Sequence, residues 1–155
     1  MNRIKLTALT LSASALVGLA VFEGYSPTTY LDIVGIPTIG FGTTGKDVKP
    51  GQRIDPVQAL QRKLTDVQKF EGALKNCVKV PLHQHEYDAA IAFSYNVGPK
   101  AFCNSTMVKK WNAGDYAGGC NELTKWVYAG GKRVPGLVAR REKERELCLG
   151  IRTQL

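Results

Sequence analysis

The stretch Phe22-Glu23-Gly24-Tyr25-Ser26-Pro27-Thr28-Thr29-Tyr30-Leu31-Asp32-Ile33-Val34-Gly35-Ile36-Pro37-Thr38-Ile39-Gly40-Phe41-Gly42-Thr43 decides the reading of this chain. It starts where an uncharged run ends, and its first charged residue, Glu23, is also the first acid in the sequence. A second carboxylate, Asp32, and a hydroxyl, Thr38, follow around a short glycine turn. Acid-assisted cleavage of a glycosidic bond needs one carboxyl that gives a proton to the leaving oxygen and one that stays ionised. Unlike surroundings give like groups these different roles. Phe22 and the apolar run beside Glu23 would disfavour its charge. Asp32, in the polar glycine-rich part, should stay ionised, and Thr38 can hold a water between itself and Asp32. A lone Glu here would read first as the carboxylate that ends an apolar helix. With Asp32, Thr38 and the glycines in register, the catalytic reading takes precedence.

Upstream, Met1-Asn2-Arg3-Ile4-Lys5 is a basic start, and the 17 residues from Leu6 to Phe22 carry no charge. Three readings compete. A cleaved signal peptide would use small residues such as those of Gly18-Leu19-Ala20. A permanent anchor needs about 20 apolar residues, so this run is at the short edge. The third reading is a buried helix of a soluble domain. Eight residues are strongly apolar (Leu6, Leu9, Leu11, Leu16, Val17, Leu19, Val21 and Phe22). They supply only about −2 to −5 kcal/mol toward insertion, while Thr7, Thr10, Ser12, Ser14, Gly18 and the alanines add little or oppose it. Cleavage after Ala20 would leave Glu23 third from a frayed end, where a catalytic acid has no rigid support. The segment is therefore expected to stay. Arg3 and Lys5 would hold its N-terminus in the cytoplasm, with the rest facing the periplasm.

The length of 155 residues suits one domain. The net charge is +8, and the part from Lys125 onward holds eight Lys or Arg against three Glu. A basic surface favours polyanions, though any single residue can equally be part of a solvated helix face. With no nucleic-acid-binding signature present, a cell-wall polymer is the expected partner and nucleic acid is not. Cys77, Cys103, Cys120 and Cys148 lack metal-site spacing, so no metal is expected. In an exported chain an even count reads as two disulfides, with three pairings open. Cys77–Cys103 with Cys120–Cys148 is favoured because each would staple neighbouring helices.

Segments 28–48 read as two or three short strands around Val34-Gly35. Asp55-Pro56 opens a helix to about Lys75, on which Val57, Leu60, Leu64, Val67 and Leu74 keep apolar spacing while Glu71 interrupts it. Further helices are expected from His83 to Asn96, from near Ser105, from near Asp115, and from Pro135 to Leu149. Trp111 and Trp126 read as core, and His83 and His85 as structural.

These residues resemble the catalytic segment of the phage-type lysozymes, the endolysins with which phages degrade the host cell wall. The shared pattern is Glu23-Gly24, then Tyr30-Leu31-Asp32, Gly35 and Thr38-Ile39-Gly40-Phe41-Gly42. It continues in Ser94-Tyr95-Asn96-Val97-Gly98, Ala101-Phe102-Cys103-Asn104-Ser105-Thr106, Asn112-Ala113-Gly114-Asp115-Tyr116, Pro135-Gly136-Leu137 and Arg140-Arg141-Glu142. One departure is Thr43, where the family usually has His.

The resemblance implies an α+β lysozyme-like fold, a small N-terminal β-lobe and a larger helical lobe with the cleft between them. It also implies an inverting muramidase that uses Glu23, Asp32 and Thr38 on peptidoglycan, with no cofactor. In the family a helix precedes this Glu, and only Leu6 to Phe22 is available to be that helix. The chain thereby resembles the signal-arrest-release endolysins, with residues 1–22 as the exported tether and 23–155 as the catalytic domain. They would be held at the host inner membrane through residues 6–22, inactive, then released into the periplasm, the membrane potential being the implied trigger. Arg140 or Arg141 matches the family's arginine as a basic partner for Glu23, and each can equally be a surface residue. Asn96 is a candidate sugar-binding amide or a helix-end cap. A monomer is expected. The competing functions are a lytic transglycosylase acting on the same bond, which would leave an anhydro end, and a non-enzymatic membrane-active cationic protein.

Overall fold

The structure, a computed structural model, describes residues 2–155. Met1, the first residue of the expected basic start, lies outside the described residues. Two compact units are formed. One is Leu16–Lys69, and the other joins the residues up to Ala15 to Phe70–Leu155.

The unit Leu16–Lys69 holds a three-stranded antiparallel sheet in the order β1 (Ser26–Leu31), β2 (Pro37–Gly40) and β3 (Thr43–Thr44). Tyr30 pairs with Thr38 and Leu31 with Pro37, while an irregularity separates these from the Ser26–Gly40 pair. Within that irregular stretch Thr28 bridges to Arg53, so the strand changes partner and its backbone groups stay satisfied. Helix α2 (Pro56–Cys77) begins where the sequence indicates. Asp55 Oδ1 accepts from the N–H groups of Val57 and Gln58, both at 2.9 Å, and Pro56 takes the first helical position.

The larger unit is helical: α3 (Gln84–Val97), α4 (Pro99–Cys103), α5 (Thr106–Asn112), α6 (Tyr116–Asn121) and α7 (Pro135–Cys148). A 3₁₀ turn (Glu122–Lys125) and a two-stranded hairpin, β4 (Tyr128–Ala129) with β5 (Lys132–Arg133), precede α7. Glu86 to Ser94 of α3 are all buried, as expected of a helix that forms the centre of a core. Phe93 meets Phe102 and Trp126 edge-on, with ring centroids at 6.1 and 5.2 Å. Full burial of one such side chain contributes about 1.5–3 kcal/mol. Trp111 is fully buried and donates from Nε1 to the Tyr116 carbonyl. The disulfides are Cys77–Cys103 and Cys120–Cys148, the pairing favoured on the helix-staple argument.

The N-terminal segment differs from the single helix expected over Leu6 to Phe22. It forms a 3₁₀ turn (Leu6–Ala8), an extended link and an eleven-residue helix, α1 (Ala13–Glu23). The break has a physical cause. The N–H of Leu11 donates to Glu71 and that of Ser12 to Asp88, so neither points back to a helical carbonyl. Among the described residues no helix is long and apolar enough to cross a membrane.

Candidate active site

Glu23 is the last residue of α1. The helix stops there because Gly24, at φ 70°, takes the left-handed conformation and returns its N–H to the Ala20 carbonyl at 3.1 Å. The Glu23 side chain then lies against the backbone of Gly42. A Cβ at Gly42 would stand 3.2 Å from Glu23 Oε2 and 3.4 Å from its Cβ. A Cβ there would make Glu23 give by a few tenths of an ångström, and Gly42 also has φ 75°, which L side chains rarely adopt. Two contacts fix the segment that carries Gly42. Lys63, buried on α2, donates from Nζ to the Phe41 carbonyl at 3.0 Å, and the Phe41 ring leans on Tyr25 with centroids 5.2 Å apart. Tyr25 in turn donates its hydroxyl to the Ile54 carbonyl at 2.7 Å.

Asp32 sits at the mouth of the β1–β2 turn. Its Oδ1 accepts from the N–H groups of Val34 at 2.9 Å and Ile36 at 2.8 Å, and its carbonyl accepts from Gly35 N–H at 3.0 Å. The carboxylate is thus oriented by the turn it creates, which is a common use of Asp at a turn's first position. Its Oδ2 accepts from no described residue. Thr38 is 3 % exposed and donates its hydroxyl to the Ile36 carbonyl at 3.0 Å. That leaves the lone pairs of Oγ1 to accept from a water.

Strand periodicity places Asp32 two residues beyond Tyr30, on the face that the Tyr30–Thr38 pair shares. Diagonal neighbours of this kind have Cα atoms about 7–8 Å apart, a span that one water can bridge between polar ends. Glu23, Asp32 and Thr38 therefore all belong to the unit Leu16–Lys69. Thr43, at the position where the resemblance would have a His, is buried, and its hydroxyl has no partner among the described residues.

The other expected site residues lie in the larger unit. Asn96 is exposed in the last turn of α3, and its Oδ1 accepts from the Arg141 guanidinium. Arg141 is fully buried on α7, where it also pairs with Glu144 and stands over the Phe93 ring at 5.0 Å. Arg140 donates from Nε to Glu144 at 3.0 Å. Burial pushes Glu144 up and Arg141 down from their usual values, and the attraction between them opposes both shifts. This cluster orders the end of α3 beside α7. Its Asn96 carboxamide keeps the Nδ2 group to donate outward. His83 and His85 stack at 5.2 Å. His83 caps α3, and the Nδ1 of His85 lies 3.1 Å from the Cys148 carbonyl. Among the described residues no group of three potential metal ligands is gathered.

Sequence reasoning missed Lys63, Glu71 and Asp88. Only Glu71 left a signal, as the acid that interrupts the apolar stripe of α2. It accepts the Leu11 N–H at 2.6 Å and the Tyr87 hydroxyl at 3.0 Å.

Known proteins resemble this chain along most of its length. The model of the family described as phage lysozyme matches residues 20–144. The SAR-endolysin of Pseudomonas phage phiKMV is 43 % identical over 141 residues, 88 % of this chain and 87 % of that protein. The SAR-endolysin of Enterobacteria phage P21 is 39 % identical over 127 residues, 82 % of this chain and 77 % of that one. Among solved structures, an endolysin from Escherichia coli O157:H7 phage FAHEc1 superposes with a TM-score of 0.84 at 38 % identity, covering 94 % of this chain and 96 % of that one. A mutant of P22 lysozyme gives 0.84 at 34 % identity, covering 91 % and 99 %. Matched along most of its length by the family model and by relatives of this similarity, the chain belongs to the phage lysozyme family.

Proposed function

We propose that this phage lysozyme is an endolysin that hydrolyses the β-1,4 bond between N-acetylmuramic acid and N-acetylglucosamine in peptidoglycan, with inversion. Glu23 is the general acid. Its proton goes to the glycosidic oxygen, which keeps the electron pair of the breaking C1–O bond. A water held by Thr38 and Asp32 attacks C1 from the opposite face and gives its proton to the Asp32 carboxylate. The observation that carries this reading is the Asp32 turn beside Thr38: an oriented carboxylate and a hydroxyl with lone pairs to spare share one face of a hairpin. Asn96 contributes an amide N–H to the sugar.

The tether belongs to the same proposal. Residues 6–22 hold the exported protein at the host inner membrane, inactive, until they leave the bilayer and fold as the 3₁₀ turn and α1. Val17 and Val21 support this. They are 54 % and 73 % exposed in the folded protein, so the fold does not need their apolar side chains, whereas insertion does. The relatives named SAR-endolysin support it too. After release the enzyme works in the periplasm as a monomer.

Proton NMR of the first-formed product tests the chemistry. An α-anomeric reducing end is the expected result for an inverting hydrolase. A β-anomer would overturn the inverting mechanism, and an anhydro end would make the enzyme a transglycosylase.

A further inference from the structure

Helix α1 raises a problem of register. Its buried residues Ala15, Leu19 and Ala20 and its exposed residues Val17 and Val21 are equally apolar in kind. A helix that is apolar all round has no stripe to settle which face turns inward. A slip of one residue moves every side chain about 1.5 Å along the axis and turns it about 100°. Glu23, at the end of this helix, would be carried off by any such slip. Apolar character alone does not select one register, and polar contacts add to what side-chain size selects.

The polar contacts are gathered at the other end of α1. The Asp88 carboxylate, on α3 and 4 % exposed, takes the Ser12 hydroxyl on Oδ2 at 2.7 Å and the Ser12 N–H on Oδ1 at 3.0 Å. The same Ser12 oxygen accepts from the N–H of Ala15 at 3.2 Å, which makes it the N-cap of the helix. Glu71 takes the next N–H back, that of Leu11, at 2.6 Å. Gln84 joins the set, donating from Nε2 to Asp88 Oδ1 at 2.9 Å and to the Thr10 carbonyl at 2.8 Å. A one-residue slip would bring Leu11 or Ala13 to Asp88. Neither carries a hydroxyl, and a buried carboxylate would lose a partner. The arrangement admits one register, as a single buried polar residue does in a coiled coil.

We infer that Asp88 and Ser12 form the register pin of α1 and are positioning residues for Glu23. The inference rests on the reading of Glu23 as the general acid. It gives Ser12 a task in the folded enzyme beyond making the apolar segment less so. Asp88 touches neither substrate nor reacting atoms. It fixes where the helix starts, and the helix carries that choice to its last residue.

Steady-state kinetics of the released full-length protein on purified peptidoglycan, with Asp88→Ala, Ser12→Ala, the double variant, Asp88→Asn, Ser12→Thr and Glu23→Gln, tests this. The pin predicts that Asp88→Ala and Ser12→Ala each lower kcat at least about tenfold with KM within about twofold, since a misplaced catalytic group costs turnover rather than binding. The losses in the double variant should be smaller than the two single losses combined, because both substitutions remove the bond between the Ser12 hydroxyl and Asp88. Ser12→Thr keeps the hydroxyl and should retain kcat within about threefold, whereas Asp88→Asn keeps one acceptor oxygen, replaces the other by a donor, and should fall between Ser12→Thr and Asp88→Ala. Should Asp88→Ala not fold, Ser12→Ala alone decides, since it deletes one hydroxyl. A full kcat in Ser12→Ala, or additive losses in the double variant, would overturn the pin while Glu23→Gln stays inactive. An active Glu23→Gln would overturn the catalytic reading itself, which separates the two failures.

Discussion

The missing side chain of Gly42 leaves room for the carboxylate of Glu23: a Cβ at Gly42 would begin 3.2 Å from Oε2, on a residue whose φ is 75°. The β-lobe thereby shapes the space of the acid through its backbone. Lys63, through the Phe41 carbonyl, holds that piece of backbone in place.

Gly42→Ala should therefore act on turnover as well as on stability. The left-handed conformation costs a non-glycine residue about 1–2 kcal/mol. Displacing the acid by a few tenths of an ångström should cost up to about tenfold in kcat. Thermal unfolding with parallel kinetics checks this. A variant that unfolds at a lower temperature and yet turns over normally would show that Gly42 does not shape the acid's position.

Both disulfides lie in the larger unit and close loops of 26 and 28 residues. By loop entropy each contributes about 3–4 kcal/mol. Replacing Cys77 and Cys103 by Ser, or Cys120 and Cys148 by Ser, should lower the unfolding free energy by about that amount. Denaturant titration measures it. A change below about 1 kcal/mol would mean that the unfolded chain is already constrained there.

Much of this fold was legible because its signals are local. Asp55-Pro56, Ser105 and Asp115 each cap the helix they announce, and their side chains accept from N–H groups two or three residues on. The Asp32 turn and the Thr38 strand were equally local. What the sequence hid depends on partners far along the chain. The break at Leu11 and Ser12 is made by Glu71 and Asp88, 60 and 76 residues away. Nothing near Ser12 announces it, so a continuous helix was the natural reading of an uncharged run. The short helix Pro99–Cys103 and the hairpin at Tyr128–Arg133 were missed for the opposite reason: each is too short for a periodic pattern to show.

Val17→Lys separates folding from tethering. Val17 is 54 % exposed, so the lysine should leave the released enzyme's kcat within about twofold and its stability within about 0.5 kcal/mol. Near the centre of a membrane segment the same lysine costs about 2.5–3.5 kcal/mol, enough to cancel much of a marginal insertion preference. Membrane fractionation of cells that express the variant should find it largely lost from the inner membrane. Undiminished membrane retention would contradict a tether of marginal hydrophobicity.

Asp88 gives a pH dependence of known sign. Burial raises its carboxyl above the usual value, against the lowering effect of its hydrogen bonds to Ser12 and Gln84 and of the charge on His85. Arg152, together with His85, lines the same cavity of about 280 Å³ beside it. A carboxyl raised in the folded state contributes stability that is fully present below its unfolded value and is lost as pH rises through the raised one. Asp88→Asn does not titrate. Its stability relative to the wild type should therefore improve as pH rises from about 3 to neutrality, as read from denaturation midpoints across that range. A gap independent of pH would show that Asp88 titrates as it does in the unfolded chain.

In the proposed mechanism Glu23 supplies the proton. The released wild type and Glu23→Gln, matched by circular dichroism and thermal midpoint, should be compared for hydrolysis of purified peptidoglycan. The amide keeps the shape of the side chain but has no acidic proton to give. Loss of the acid should lower kcat roughly 100- to 10,000-fold with the fold intact. Turnover within a few-fold of the wild type would contradict it.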